Sequence, residues 1–250
     1  MEFREDIVDI IVPFFRTEHG LARLEIMKKS LKEIDPGFPY NLIIAEGQKP
    51  CVQNRNDGLR QSNTRYFVMC DDDIIFKTPG WLKEAMNAIK TIPETGMVGF
   101  RTEDITGKII NAGRYIVQND NKNFSVDCLE LNEGLEFERG LRNQVAGCLV
   151  LVDRLVAGYY PQNIYPGKVN CEDVDYMMTI QANGYLLYYL GDVPVIHNES
   201  TFKEKKEKYQ LTDQDMINHL IFASRWNIKN GKVKKETGEG NETNKHTDNK

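Results

Sequence analysis

Three short apolar runs, residues 7–16, 41–45 and 65–70, are separated by two segments of helical periodicity, and this alternation most constrains the fold. The first run, Ile-Val-Asp-Ile-Ile-Val-Pro-Phe-Phe-Arg, is β-branched and punctuated by Pro13, the pattern of a strand buried on both faces. Leu21, Leu24, Met27, Lys28 and Leu31 then recur at three- and four-residue spacing until Asp35-Pro36-Gly37 stops the helix. The second run ends in Glu46-Gly47; after Pro50 a helix over 53–62 leads to the third run. Strand, helix, strand, helix, strand predicts right-handed parallel crossovers. Ligands of such sheets sit beyond the carboxyl ends of the strands, where Arg16, Glu46 and Asp71 to Asp73 all fall.

The third strand therefore delivers three consecutive carboxylates, Asp71, Asp72 and Asp73, between the apolar run Tyr66–Cys70 and the apolar pair Ile74-Ile75. Like charges this close repel and are partly desolvated, so the cluster calls for a neutralising cation. A divalent metal carrying a phosphorylated ligand is the leading reading, and a solvated acidic turn is the plain alternative. Mg²⁺ or Mn²⁺ is often held by one or two carboxylates plus substrate phosphates, so Asp71 and Asp73 would suffice. Asp72 points the other way on an extended backbone.

Downstream, Thr78-Pro79-Gly80-Trp81 opens a helix to about Thr91, with Trp81 read as a core aromatic, and residues 97–100 return as a strand. Residues 101–146 are polar and turn-rich, which favours hairpins or a long loop. Residues 145–153 read as a buried strand, and 185–190 and 193–197 as two further strand-like pieces. Between them Glu172 and Asp173 open a helix, with Asn170 as a cap and Asp173 at its third position; on spacing alone, capping is the stronger reading of these acids. His197 stands at a strand end, where a lone histidine is more often structural than a ligand. Lys203 to Lys208 alternates with glutamates as a solvated face, and Asn218, Phe222 and Trp226 suit a closing helix. Residues 229–250 are too polar to order, leaving residues 1–228 as one expected domain.

The net charge of -5 and a pI near 5.5 exclude a nucleic-acid protein that works through a basic stripe. Five scattered cysteines without CxxC spacing fit reduced thiols, hence a cytoplasmic setting. The charged opening Met-Glu-Phe-Arg-Glu-Asp and the want of about 18 consecutive apolar residues give no indication of secretion or membrane spanning.

Laid end to end, these segments resemble the GT-A glycosyltransferases, specifically glycosyltransferase family two, over residues 7 to about 226. Ile10-Ile-Val-Pro-Phe-Phe-Arg16 looks like that family's first strand, Asn54-Arg-Asn-Asp-Gly-Leu59 like its Arg-Asn-x-Gly-Leu helix start, and Phe67-Val-Met-Cys-Asp-Asp-Asp73 like its Asp-x-Asp strand. Gly107 to Gly113, Gly147 to Arg154, and Glu172-Asp-Val-Asp175 through Gly184 to His197 follow in the same order. The resemblance implies an α/β GT-A fold, a mixed sheet flanked by helices. It also implies metal-dependent, inverting transfer from a UDP- or dTDP-sugar to a hydroxyl of a glycan, lipid-linked or protein acceptor, as in polysaccharide biosynthesis.

On this resemblance Asp71, Asp73 and His197 would hold Mn²⁺ or Mg²⁺. Pro13, Phe15, Arg16, Glu46, Asn54, Arg55, Asp71 and Asp72 would bind the nucleotide-sugar donor, with Asp72 on the ribose or a backbone donor. Asp173 would be the catalytic base, followed by Glu172 and then Asp175. Two departures stand out: Ala45-Glu46-Gly47 replaces the usual Asp-Asp-Gly-Ser, and residues 114–146 match nothing in the family. Two alternatives stay open, a non-catalytic nucleotide-sugar or carbohydrate-binding module and a sugar nucleotidyltransferase, although the latter's Gly-rich loop is missing from Val12–Arg16. Peripheral membrane association is also left open.

Overall fold

The computed structural model describes residues 3–47, 50–118, 124–128, 135–161, 164, 171–198, 218, 221–222 and 224–226. Strand β1 (Val8–Phe14) is buried along nearly its whole length, as its β-branched sequence requires. It pairs in parallel with β2 (Tyr40–Glu46) on one side and β3 (Tyr66–Cys70) on the other. Helices α1 (Glu18–Glu33) and α2 (Cys51–Gln61) make the two crossovers. Helix α1 starts at Thr17, whose hydroxyl accepts from the Gly20 amide at 2.9 Å, and stops before the Asp35–Gly37 turn. The parallel opening expected from the sequence is therefore present.

The chain continues through β4 (Ile74–Phe76), α3 (Trp81–Thr91), β5 (Thr95–Glu103), β6 (Ile109–Asn111), β7 (Arg114–Gln118), β8 (Phe124–Cys128), a 3₁₀ turn at Leu135–Phe137, and β9 (Gly140–Leu141). It then forms β10 (Leu149–Asp153), α4 (Arg154–Ala157), α5 (Glu172–Ala182) and β11 (Leu186–His197). The main sheet runs β2-β1-β3-β10-β5-β11-β4. Strand β10 is antiparallel to both its neighbours and β4 is antiparallel to β11, so the sheet is mixed, as the family resemblance implies.

Two differences from the sequence reading matter for the site. Strand β4 follows the aspartates at once; three residues are too few to carry a periodic signal, and only its pairing with β11 defines it. The two pieces expected over 185–197 are one strand with a register shift between Leu190 and Pro194. Its last residues pair with β4, setting His197 opposite Ile74, the residue after Asp73.

Period-two alternation along β1 divides the core into two layers. Val8, Ile10 and Val12 face Leu24, Met27 and Leu31 of α1 and Trp81, Leu82 and Ala85 of α3. Ile11 faces Val52 and Leu59 of α2, with Val156, Tyr176 and Ile180 in the same layer. Trp81 is fully buried, stacked on Phe76 at 4.7 Å and edge-on to Phe100 at 5.7 Å, so it is the core aromatic its sequence context suggests. The turn-rich stretch after β5 does form hairpins: β6 returns on β5, β7 pairs antiparallel with β8 in a separate ribbon, and β9 adds to β11. Phe222 is buried with Cys171 and Val174 of the α5 start, consistent with a closing helix. The Lys203–Lys208 stretch and the tail at 229–250 lie outside the described residues.

Gly58, in the motif-like stretch of α2, meets β1 at close range: a Cβ there would lie 2.2 Å from Ile11 Cγ2 and 3.1 Å from Ala45 Cβ. The replacement Gly58→Ala is expected to destabilise the protein by about 1–3 kcal/mol, the usual cost of overpacking. Urea denaturation with an unchanged midpoint would show that α2 can move away from β1 freely.

Candidate active site

Each of the three aspartates faces a basic side chain from a different element. The Asp71 carboxylate lies 3.6 Å from Nη2 of Arg55 on α2, while its amide donates to the Cys148 carbonyl at 2.8 Å. Asp72 lies 3.6 Å from Nη2 of Arg23 on α1. Asp73 Oδ1 lies 3.1 Å from Nε2 of His197 at the end of β11. Asp72 thus meets α1 and not the His197 side, and it does so from the turn Asp72-Asp73 between β3 and β4 and not from the extended backbone expected.

Burial pushes the Asp71 carboxyl up to about 6, with Arg55 opposing and Asp73 adding to the rise. Burial works against charge on His197, yet Cys148 and Asp73 beside it hold its pKa well above the usual imidazole value. Ligand atoms of Asp71, Asp73 and His197 all lie within 4.8 Å of one another. Two carboxylate oxygens and one imidazole nitrogen at that spacing fit a divalent ion, and the nitrogen suits Mn²⁺ better than Mg²⁺. An ion bound there would displace a proton from the imidazole.

Arg55 is buried and has its fork between two acids. Its Nη1 donates to Glu172 Oε1 at 3.3 Å while Nη2 faces Asp71. Burial pushes Glu172 up to about 7, and Arg55 opposes that shift. Behind the guanidinium lies the ring of Tyr160, 5.2 Å from Cζ, itself stacked on Tyr176 of α5 at 3.9 Å. Asn56 secures Tyr160 from α2: its Nδ2 donates to the Tyr160 carbonyl at 3.0 Å and its Oδ1 accepts from the Tyr160 amide at 2.9 Å.

Asp173 sits in the first turn of α5 beside Gly147, where a Cβ would come within 2.4 Å of Asp173 Oδ2. Its Oδ1 accepts from the Val174 amide at 2.8 Å. The residue capping α5 is Cys171, in the left-handed conformation at φ 67° and with no side-chain cap bond, so Asp173 is the second helical residue and not the third. Asn170 lies outside the described residues. Asp175 is fully buried and accepts from Arg225 Nε at 3.0 Å and Trp226 Nε1 at 2.6 Å, which removes it from the candidates for a base. It anchors the closing segment on α5.

At the neighbouring strand ends Arg16 and Glu46 form a bidentate, solvent-exposed pair at 2.5 and 2.7 Å. Such a pair contributes little to stability, and the Asn54 amide bonds the Gly47 carbonyl at 2.9 Å beside it. Pro13 is the half-buried penultimate residue of β1, and Phe15 is exposed next to Arg16. The structure therefore gathers Asp71, Asp73, His197, Arg55 and Glu172 into one contact network and joins Arg16 to Glu46 in another. Arg23 and Tyr160 escaped the sequence reading, and Gly147 and Cys148 entered it only as part of a family-like segment, with no role at the site. Only their partners give them a role, and those partners lie from about fifty to more than a hundred residues away in most cases.

No protein-family model and no curated protein sequence matches the chain. Solved structures do. GalNAc-T7, determined with UDP, GalNAc and Mn²⁺, superposes with a TM-score of 0.59 at 13% identity over 78% of this chain. A mannosyltransferase from Pyrobaculum calidifontis, in complex with GDP-Man and Mn²⁺, gives 0.53 at 14% identity over 89% of this chain and 65% of its own. A Drosophila β1,4-galactosyltransferase 7 mutant, in complex with manganese, UDP-Gal and xylobiose, gives 0.51 at 14% over 85% of this chain and 79% of its own. The chain spans only 44% of the GalNAc-T7 chain. The architecture is that of the GT-A glycosyltransferases. No helix among the described residues is long and apolar enough to cross a membrane.

Raising a carboxyl's pKa in the folded state means that its ionisation opposes folding. In the metal-free protein, stability contributed through Glu172 should be full below about pH 4.5 and decline as pH rises through about 7. Glu172→Gln should flatten that part of the stability-against-pH curve relative to wild type. Superimposable curves for the two proteins would refute the burial-driven shift.

Proposed function

We propose that this GT-A-fold chain is a metal-dependent glycosyltransferase, residues 1–228 forming its catalytic domain. It would move a sugar from a nucleotide-diphosphate donor, a UDP- or dTDP-sugar, to a hydroxyl of a glycan, lipid-linked or protein acceptor with inversion. One observation carries the reading: the two-oxygen, one-nitrogen set of Asp71, Asp73 and His197 shares an end of the sheet with Asp173. The backbone joins them, since Gly147 packs on Asp173 and the next residue, Cys148, accepts the Asp71 amide. That three solved relatives in fold carry manganese and a nucleotide or nucleotide sugar supports the same ligand class here.

The bound ion would neutralise charge developing on the diphosphate leaving group. Asp173 supplies the other half of the reaction, taking the proton of the attacking acceptor hydroxyl. It stands in the first turn of α5, packed on Gly147. Glu172 is buried against Arg55 and serves the scaffold of that turn. Glu46, braced by Arg16, would face the nucleobase at the end of β2.

Asp173→Asn should leave donor binding intact and lower transfer about 10²- to 10⁴-fold, the usual range for a general base. Unchanged turnover would end that assignment. A thermal-shift screen of uridine, thymidine, guanosine and cytidine diphosphate sugars should single out one donor. At a hundredfold excess over Kd the gain is about 2.7 kcal/mol. The gain should need Mn²⁺ and vanish in Asp73→Asn; affinity indifferent to both would remove the metal from the reading.

A further inference from the structure

We infer that Arg55 is a positioning residue that sets the distance between the metal-holding carboxylate Asp71 and the first turn of α5, which carries Asp173. The inference rests on the proposed metal seat and base, and it replaces the nucleotide-sugar contact expected for this arginine from the sequence. A donor-binding arginine would keep its fork open to solvent. Here one arm donates to Glu172 at 3.3 Å and the other faces Asp71 at 3.6 Å, and the side chain is buried.

Burying a guanidinium is expensive unless charge and geometry both answer it. Two acids from distant parts of the chain supply the charge. The geometry comes from the Tyr160 ring behind Cζ, stacked on Tyr176, and from the reciprocal bonds between Asn56 and the Tyr160 backbone. Helix α2, the segment after α4 and helix α5 are thereby locked around one planar cation. Asp71 projects from the end of β3, so the fork is a strut from the metal seat to Glu172, the neighbour of Asp173. A lysine could match the charge but not hold both acids, since it presents a point and not a planar fork.

The test is Arg55→Lys in the full chain, with Mn²⁺ alone titrated into donor-free protein and followed by electron paramagnetic resonance. Outer partners of metal ligands typically govern affinity by about 10- to 100-fold, so a weakening of that size is expected. A similar fall in kcat should accompany it, with little change in acceptor KM. The double variant Arg55→Gln with Glu172→Gln leaves no buried charge unanswered on the α5 side. It should fold with near-wild-type thermal stability and still bind Mn²⁺ weakly, because Asp71 has lost its brace.

Wild-type Mn²⁺ affinity and kcat in Arg55→Lys would overturn the inference. So would full recovery of Mn²⁺ affinity in the double variant, or failure of both variants to fold, which would make Arg55 a purely structural cation. If the wild-type protein itself binds no Mn²⁺, the metal seat fails before Arg55 is touched, so the two failures are told apart.

Discussion

The pairing of three adjacent aspartates with three separate basic residues is the interaction on which the site depends. Asp71, Asp72 and Asp73 would repel one another at the end of β3, yet Arg55, Arg23 and His197 reach them from α2, α1 and β11. The protein thus offsets most of the charge itself. In the proposed reaction a divalent ion would serve the diphosphate leaving group and not the neutralisation of the fold. This differs from the simplest electrostatic reading of the sequence, in which neutralisation falls to the metal.

The same pairing accounts for what could be read from the sequence and what could not. β1, α1, β2, α2 and β3 announce themselves through local periodicity, and so does the crevice at their carboxyl ends, because parallel crossovers leave few choices. Asp71, Asp73 and His197 were legible by their order along the chain together with the family resemblance. Arg23 was not: on α1 it looks like any solvated position, and only the approach of β3 gives it Asp72. Asp175 looked like a member of an acidic trio, yet Arg225 and Trp226, fifty residues on, turn it into an anchor. Burial decides between these readings, and burial is a long-range property.

Architecture and chemistry also rest on different kinds of support. The solved structures share the layered mixed sheet at 13–14% identity, which speaks to the fold. The proposed chemistry rests on this chain's own contacts: the O, O, N donor set, the Arg55 strut and the Asp173 carboxylate packed on Gly147.

Pairing of His197 with Ile74 has a consequence in time as well as in space. The metal seat draws two ligands from residues 71–73 and its third from the far end of β11, more than 120 residues later. Strand β4 has three residues and gains its sheet partner only when β11 arrives. A chain emerging from the ribosome therefore presents its aspartates long before it can bind an ion tightly. An ion held by these three residues would be captured as the sheet edge closes, in a single late event that latches the completed molecule.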